Sequence, residues 1–331
     1  MPVTAPHVSR LARPVGVVCV EGVRVLDPRP VMAVLVSALA LMLLPAATHA
    51  QDLEPRAYSN APIGFNFLVL GYAHSQGGLS FDPSLPIEDA RLRTDSGVFA
   101  YARTLDLWGK SGRFDVVVPY SQLSGSATVA GQPAERDVTG FSEPRLRLSV
   151  NLYGAPALSL QEFAHYQRDL VVGTSIQVSA PSGQYDPSRA INLGSNRWTV
   201  KPEIGISKTF GALTLDFTTS ATFYGVNDDY YGGKTLEQEP LYAAQTHVSY
   251  DFGGGIWAAL GATYYRGGRV TTNGNTSLVE LGNTRAGAVL ALPVDRNHSI
   301  KFSLSGSVHT RTGSEFAIFG LAWQYRWGAG Y

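Results

Sequence analysis

The chain has 331 residues, enough for two soluble domains or for one large β-barrel. It carries 26 basic and 26 acidic residues, and this balance argues against nucleic acid as a partner. The only cysteine is Cys19, near the N-terminus, so a disulfide scaffold is excluded for the rest of the chain.

The first fifty residues have the pattern of an export signal. Residues 31–50 (VMAVLVSALALMLLPAATHA) form an apolar run that is followed by a proline and small residues. The run is shorter than the roughly 20 residues that a membrane-spanning helix needs, and it matches a secretory signal. We therefore predict that residues 1–50 are an N-terminal extension plus a signal peptide cleaved after Ala50, with Met1 or Met32 as the start.

Downstream, apolar and polar residues alternate over stretches bounded by Gly, Pro and Asn clusters, and no helical period persists. The pattern predicts an all-β chain whose strands can each cross a bilayer, for which about 9 to 11 tilted residues suffice. The predicted strands are residues 63–76, 96–106, 112–123, 140–153, 168–181, 196–209, 211–224, 240–252, 255–266, 283–293, 299–310 and 314–328. Residues 51–62 are then predicted as a short periplasmic segment and residues 63–331 as the barrel.

The predicted connections mostly alternate in length. Those after strands one, three, five, seven and nine are long and polar, such as GVNDDYYGGKTLEQE, whereas those after strands two, six, eight and ten are short, such as FG. Bacterial outer-membrane barrels have an even number of strands, short periplasmic turns and long outer loops. The fourth connection, GAPALSLQEFAHYQR, departs from this rule and is long enough for a short helix.

Alternation alone does not separate a soluble sandwich from a barrel in lipid. In strand seven, Leu213, Leu215 and Phe217 would share one face, with Thr214 and Asp216 on the other. In a sandwich the apolar face is the core, and in a membrane barrel it is the outer surface. The export signal, the strand lengths and the loop asymmetry favour a single antiparallel transmembrane β-barrel of about twelve strands in the outer membrane.

Aromatic residues near predicted strand ends and turns suit the bilayer interface, although strands are enriched in Tyr and Trp in any protein. They are Trp108, Tyr120, Tyr153, Trp198, Trp257, Tyr264, Trp323, Tyr325 and Trp327. The final stretch, FGLAWQYRWGAGY, resembles the last strand that the barrel-assembly machinery of the outer membrane recognises. We therefore expect that machinery, together with membrane lipid, among the partners.

Several segments resemble one known family. They are VVGTSIQVSAPSGQYDPSRAINLGSNRWTVKPEIGISK, NDDYYGGKTLEQEPLYAAQTHVSYDF, GGIWAALGATYYRGGR and LAWQYRW. They look like the transporter-like outer-membrane proteins associated with the MetA pathway of phenol degradation, and the resemblance extends over about residues 60–328. It implies a barrel that passes small apolar or aromatic molecules such as phenolic compounds.

A passive barrel needs a lumen rather than a catalytic group, and strand parity predicts which charged side chains face that lumen. The predicted lumen residues are Glu143, Arg145, Arg147, Lys201, Glu203, Asp216, His247, Arg285, Lys301 and Arg326. They could line a selective route, or they could pair into a salt-bridge network that plugs the barrel. In the stretch SNRWTVKPEIGIS, Pro202 lacks a ladder donor and predicts a bulge or a local break in pairing between Lys201 and Glu203.

An enzyme is the second hypothesis, because some outer-membrane barrels are lipid hydrolases. His247 with Ser249, or Ser307 with His309, would be the candidate pairs. Both pairs fall on the predicted lumen face, whereas a lipid-cleaving nucleophile has to face lipid. We predict no catalytic residues.

A third hypothesis is a structural or ligand-binding barrel with a plugged lumen, in which loop tyrosines such as Tyr185, Tyr230 and Tyr231 contact a ligand. The neighbouring Asp228 and Asp229 could attract Ca²⁺, but a solvated glycine-rich loop explains them equally well. The residues after Ala50 contain no zinc or nucleotide motif in the required context, so we predict neither a metal nor a cofactor.

Overall fold

A computed structural model of the chain describes residues 54–79, 87–129, 131–278, 280–310 and 315–328. The predicted leader and its cleavage after Ala50 lie outside these residues. In chain order the elements of the described part are β1 (Phe65–Leu79), β2 (Ile87–Leu107), β3 (Lys110–Val129), β4 (Gln132–Phe141), β5 (Arg145–Tyr153), α1 (Leu160–Phe163), β6 (Leu170–Ser179), β7 (Thr199–Phe210), β8 (Leu213–Tyr224), β9 (Asn227–Tyr230), β10 (Lys234–Gln238), β11 (Leu241–Gly253), β12 (Ile256–Gly267), β13 (Val270–Thr272), β14 (Asn275–Thr276), β15 (Leu281–Pro293), β16 (His298–Thr310) and β17 (Glu315–Gly328).

The long strands form one closed antiparallel barrel. β1 pairs with β2 on one side and with β17 on the other, so that Leu70 lies opposite both Phe99 and Trp323. From β17 the order runs through β16, β15, β12, β11, β8, β7, β6, β5 and β3, and β3 returns to β2. β4 and β5 both pair with β3 and form one interrupted wall strand. The barrel therefore has twelve wall strands, and the predicted fold is confirmed.

The wall is polar inside and apolar outside. On β8 the side chains of Thr214, Asp216 and Thr218 are buried, whereas those of Leu215 and Phe217 are exposed. A soluble protein would bury the leucine and phenylalanine side chains instead. Apolar side chains on the outer surface of a closed barrel are suited to contact with lipid, which decides between the two structures that the alternation allowed.

Most of the predicted interfacial aromatics lie on the outer surface. The rings of Trp323, Tyr325 and Trp327 on β17 stack along the outside, with centroids 6.3 and 5.3 Å apart. The prediction for Trp257 was wrong, because this ring lines the lumen and packs under the guanidinium of Arg56 at 5.1 Å. Strand-end position alone could not show which face Trp257 occupies.

Parts of the long connections that were predicted as loops are strands. β2 begins at Ile87, and β3 and β4 form a hairpin that continues to residues 129 and 132. The outer connections also contain the short pairs β9–β10 and β13–β14. These segments extend past the part of the barrel whose outer surface is apolar. Both of their faces can then be polar, so they lack the alternation of polar and apolar residues that marks a strand in the membrane.

The connection between β5 and β6 contacts the chain that precedes β1. It contains the expected short helix, α1, whose first turn is held by a capping box between Ser159 and Glu162. The amide of Ile63 donates to the carbonyl of Leu158 at 2.9 Å, which ties the chain before β1 to this connection. No helix in the described residues is long and apolar enough to cross a membrane.

Candidate functional site in the barrel lumen

Three adjacent wall strands carry polar side chains at one level of the lumen. Ser149 on β5 pairs with Ser175 on β6, and Ser175 pairs with Glu203 on β7. Because residues directly opposite each other in a ladder project to the same face, these three side chains all point inward. The two serines are buried, and the Glu203 side chain is 9% exposed.

Arg147 on β5 lies at the centre of this level. Its Nε donates to Ser175 Oγ at 3.0 Å and its Nη2 donates to Glu203 Oε1 at 3.0 Å. Its Nη1 contacts the carboxylate of Glu54, which precedes the barrel in the chain. A buried guanidinium is costly unless carboxylates and hydroxyls satisfy its donors, and here all three nitrogens have acceptors.

Glu54 contacts a second arginine on the wall. Arg113 on β3 places Nη2 3.1 Å from Glu54 Oε1 and Nε 2.8 Å from Asp115 Oδ1. The carboxylate of Glu54 thus lies between the guanidinium groups of Arg113 and Arg147. This double ion pair fixes the start of the described chain inside the barrel.

Tyr58, four residues after Glu54 in the chain, also packs inside the barrel. Its hydroxyl donates to Glu203 Oε1 at 2.9 Å, and the residue is 3% exposed. The ring lies over two glycines of the wall: a Cβ on Gly173 would be 2.1 Å from the ring, and a Cβ on Gly205 would be 2.4 Å from it. Contacts this short do not occur between real atoms, so glycine at both positions is what allows the ring to pack there.

Arg56 adds contacts to the opposite wall. Its backbone amide donates to Asp216 Oδ2 at 3.2 Å, and its guanidinium lies 3.9 Å from Asp251 and over the Trp257 ring. Residues 54–58 are therefore held by β3, β5, β7, β8, β11 and β12, from around much of the barrel wall. We call residues 54–60 the lumen segment.

The electrostatics of the lumen segment favour its docked state. Burial by itself would raise the pKa of Glu54, but the charges of Arg147, Arg113, Lys201 and Lys301 outweigh it and lower the pKa to about 2. The Glu54 side chain is 47% exposed. Burial and the nearby Glu203 carboxylate raise the pKa of Tyr58, which keeps its hydroxyl protonated and able to donate.

Two more predicted residues, Lys201 and Arg145, join this group. Lys201 Nζ lies 3.9 Å from Glu203 Oε2, and Arg145, Lys201 and Glu203 line one cavity of about 200 Å³. Pro202 interrupts the pairing of β7 with β8 between Val200 and Glu203, and the register is the same on both sides. The predicted break in pairing is present, and there is no bulge.

Three other predicted residues, Glu143, Arg285 and His247, make their contacts elsewhere in the barrel. Glu143 accepts from the amide and the hydroxyl of Ser195, at 2.6 and 2.7 Å, which holds the long connection between β6 and β7. Arg285 is buried over the Tyr265 ring at 5.4 Å. His247 is buried opposite Gly261, where a Cβ would collide with the imidazole at 2.1 Å.

Lys301 and Arg326 line a different cavity from the central group, although the charge of Lys301 still acts on Glu54. Both line a cavity of about 700 Å³ at the barrel end that carries the short turns. The structure thus brings together Arg145, Arg147, Lys201 and Glu203 and connects Asp216, with His247 directly opposite it on β11, to them through the lumen segment. Glu143, Arg285, Lys301 and Arg326 make their contacts elsewhere. A role in selectivity stays a prediction for all ten.

The sequence reasoning missed Glu54, Arg56 and Tyr58, because a short segment without periodicity carries no signal of where it packs. It also missed Arg113 and Asp115, although both fall within a predicted strand. The usable signal was the pair Gly173 and Gly205, which lie opposite each other on neighbouring strands and leave room for a bulky group.

The candidate pairs for hydrolysis do not form a catalytic arrangement. His247 Nε2, Ser249 Oγ and Ser307 Oγ are buried and have no hydrogen-bond partner among the described residues. A nucleophile needs a base within hydrogen-bond reach. In the same part of the chain, no group of three or more His, Cys, Asp and Glu side chains could hold a metal ion.

Comparison with solved structures gives the fold. An outer membrane channel from Pseudomonas putida F1 superposes with a TM-score of 0.71 at 20% identity, covering 83% of this chain and 100% of that one. The Pseudomonas putida toluene transporter TodX has a TM-score of 0.43 at 9% identity, with 85% and 95% covered. The CymD monoaromatic hydrocarbon channel has a TM-score of 0.44 at 9% identity, with 81% and 89% covered. No curated protein sequence matches the chain.

The closed barrel and its apolar outer surface place the protein in the outer membrane. The model of one protein family matches residues 75–325, which is most of the chain. That family is described as "Putative MetA-pathway of phenol degradation", and the chain belongs to it.

Proposed function

We propose that the barrel is a passive route across the outer membrane for small apolar or aromatic molecules, phenolic compounds among them. The observation that carries the proposal is a closed wall with a wide cavity at each end. One cavity, of about 930 Å³, lies among the long hairpins, and the other, of about 700 Å³, lies at the short turns. A barrel that served only as a scaffold would not need open space at both ends.

The apolar character of the hairpin end supports this class of solute. Leu92, Leu123 and Val138 form a buried cluster on the inner face of β2, β3 and β4, and Ile191, Leu193 and Phe316 pack against it. Leu92 also lines the wide cavity. The cluster is covered by these neighbours, so Leu92 and Ala317 are the apolar contacts that this cavity offers an aromatic solute, beside arginine, glutamate and serine side chains.

The lumen segment controls the route between the two cavities. Its ion pairs to Arg113 and Arg147 and the packing of Tyr58 fill the level at which β5, β6 and β7 face the lumen. The same contacts support the second candidate, a plugged barrel whose role is structural or ligand-binding. The two candidates differ in whether solutes pass.

The first prediction concerns uptake. Intact Gram-negative cells that lack their general porins and express this barrel should take up radiolabelled phenol at low concentration faster than cells with an empty vector. Whole cells are required because neutral phenols cross simple lipid vesicles without a channel. Equal initial uptake rates at matched amounts of folded barrel in the outer membrane would exclude the route and leave the plugged barrel.

The second prediction tests the lumen segment as the constriction. Gly173→Ala places a methyl group where the Tyr58 ring lies, and overpacking of this kind costs about 1–3 kcal/mol, which should undock the segment. Single-channel conductance in planar bilayers should therefore rise. The matched control is Gly71→Ala, a barrel glycine whose added Cβ meets only ordinary contacts of 3.5 Å or more. Equal conductance of the Gly173→Ala and Gly71→Ala variants would contradict the assignment.

The third prediction is a pH dependence. The pKa of Glu54 is lowered from 4.5 to about 2 in the docked state, so its stabilisation is fully present above pH 4.5 and is lost as the pH falls through 2. Glu54→Gln should raise conductance at pH 7, and the difference between the two proteins should shrink from pH 4.5 towards pH 2. Taking the difference removes the contribution of other carboxylates. A difference that is constant over this range would show that Glu54 does not hold the segment.

A further inference from the structure

Trp257 places a large apolar ring on a wall whose inner face is mainly polar. It follows the short turn between β11 and β12 and lines the cavity of about 700 Å³ at that end of the barrel. The guanidinium of Arg56 lies 5.1 Å from the centroid of the ring. The residue is nevertheless only half-buried. The contact with Arg56 therefore covers part of the ring, and the remainder borders the cavity.

The wall beside Trp257 carries small side chains. Trp257 pairs with Ala291 on β15, and Ala291 pairs with Lys301 on β16. Lys301 in turn pairs with Ala322 on β17. Residues directly opposite each other in a ladder project to the same face, so this row points into the lumen, and all of it lines the cavity. A methyl group reaches far less deeply into the lumen than an indole, so the ring stands beside open space.

This space suits a flat ring. An aromatic ring that stacks on an indole gains a ring–ring interaction in addition to the free energy of leaving water, whereas a saturated ring of the same size gains only the second term. The aliphatic stem of Lys301 can pack along such a ring, as the stems of long charged side chains do on apolar surfaces. The site therefore favours planar aromatic solutes over other apolar solutes.

The next level of the ladder adds polar groups to the cavity. Ser299 pairs with Pro293 on one side and with Gln324 on the other, and all three line the cavity. A hydroxyl and a side-chain amide can both donate and accept hydrogen bonds, so they suit a hydroxyl substituent on the ring. The volume of the cavity falls within the range of about 300–1,000 Å³ that is common for small-molecule sites.

We propose that this cavity binds a small planar aromatic ring, stacked on Trp257 beside Ala291 and Ala322, with a hydroxyl substituent directed towards Ser299 and Gln324. Trp257 is then the residue that distinguishes aromatic from saturated solutes. The inference rests on the proposed function and deepens it, because it narrows the apolar solutes of the route to planar rings. Since Arg56 belongs to the lumen segment, the site lies directly beside the constriction.

The test is a fluorine NMR titration of the purified, folded barrel with fluorotryptophan at its tryptophan positions. Trp257→Phe and Trp323→Phe each remove one resonance and so assign it. Phenol should shift the Trp257 resonance saturably. Cyclohexanol should bind there about fivefold more weakly, the equivalent of about 1 kcal/mol. Trp323, on the outer wall, reports phenol that only partitions into the detergent.

A second variant tests the space beside the ring. Ala322→Leu fills part of this space and should weaken phenol binding at Trp257 by about tenfold or more. The matched control is Ala317→Leu, the same substitution on the same strand at a residue that lines the other wide cavity. Heat-dependent gel mobility establishes that each variant is folded before titration.

A saturable shift at Trp257 that is weakened by Ala322→Leu, unchanged by Ala317→Leu and smaller in affinity for cyclohexanol supports the site. No saturable shift, the same response at Trp323, equal binding of cyclohexanol, or equal effects of the two alanine substitutions overturns it. If Trp257 does not respond while phenol uptake persists, only this proposal fails; if Trp257 responds and phenol uptake is absent, only the proposed route fails.

Discussion

The ion pairs of Arg147 are the interaction on which the interior of this barrel depends. One guanidinium joins β5 to Ser175 of β6, to Glu203 of β7 and to Glu54 of the lumen segment. Removing either carboxylate would leave the buried guanidinium with one donor unsatisfied and with half of its compensating negative charge, which is destabilising. The lumen segment is therefore fixed by electrostatics first, and the packing of Tyr58 against two glycines makes its position specific.

This arrangement explains why a barrel with a polar lumen needs so many charges of both signs. Carboxylates cluster where the lumen segment docks, at Glu54, Glu203, Asp216 and Asp251, and each contacts an arginine or the backbone of the segment. The carboxylates and guanidinium groups at this level thus neutralise one another.

The fold was predictable because membrane strands carry their signal locally. In β8 each residue shows by its own polarity which face it occupies, from Leu213 to Phe217. The signal stops where the hairpins leave the membrane, which is why the lengths of β2, β3 and β4 were missed. The constriction was not predictable, because Glu54 and Arg147 are 93 positions apart and Tyr58 and Glu203 are 145 apart. A segment without a period gives no indication of such partners, and only the facing glycines hinted at one.

Arg147 holds the lumen segment inside the barrel through its ion pair with Glu54. The most direct measurement is the rate at which a bulky maleimide labels Ala57→Cys in a Cys19→Ser background, with and without Arg147→Gln. We expect slow labelling when Arg147 is present and labelling about tenfold faster or more when it is replaced, which corresponds to at least about 1.4 kcal/mol of docking free energy. Equally fast labelling of both proteins would show that Arg147 does not hold the segment in the lumen.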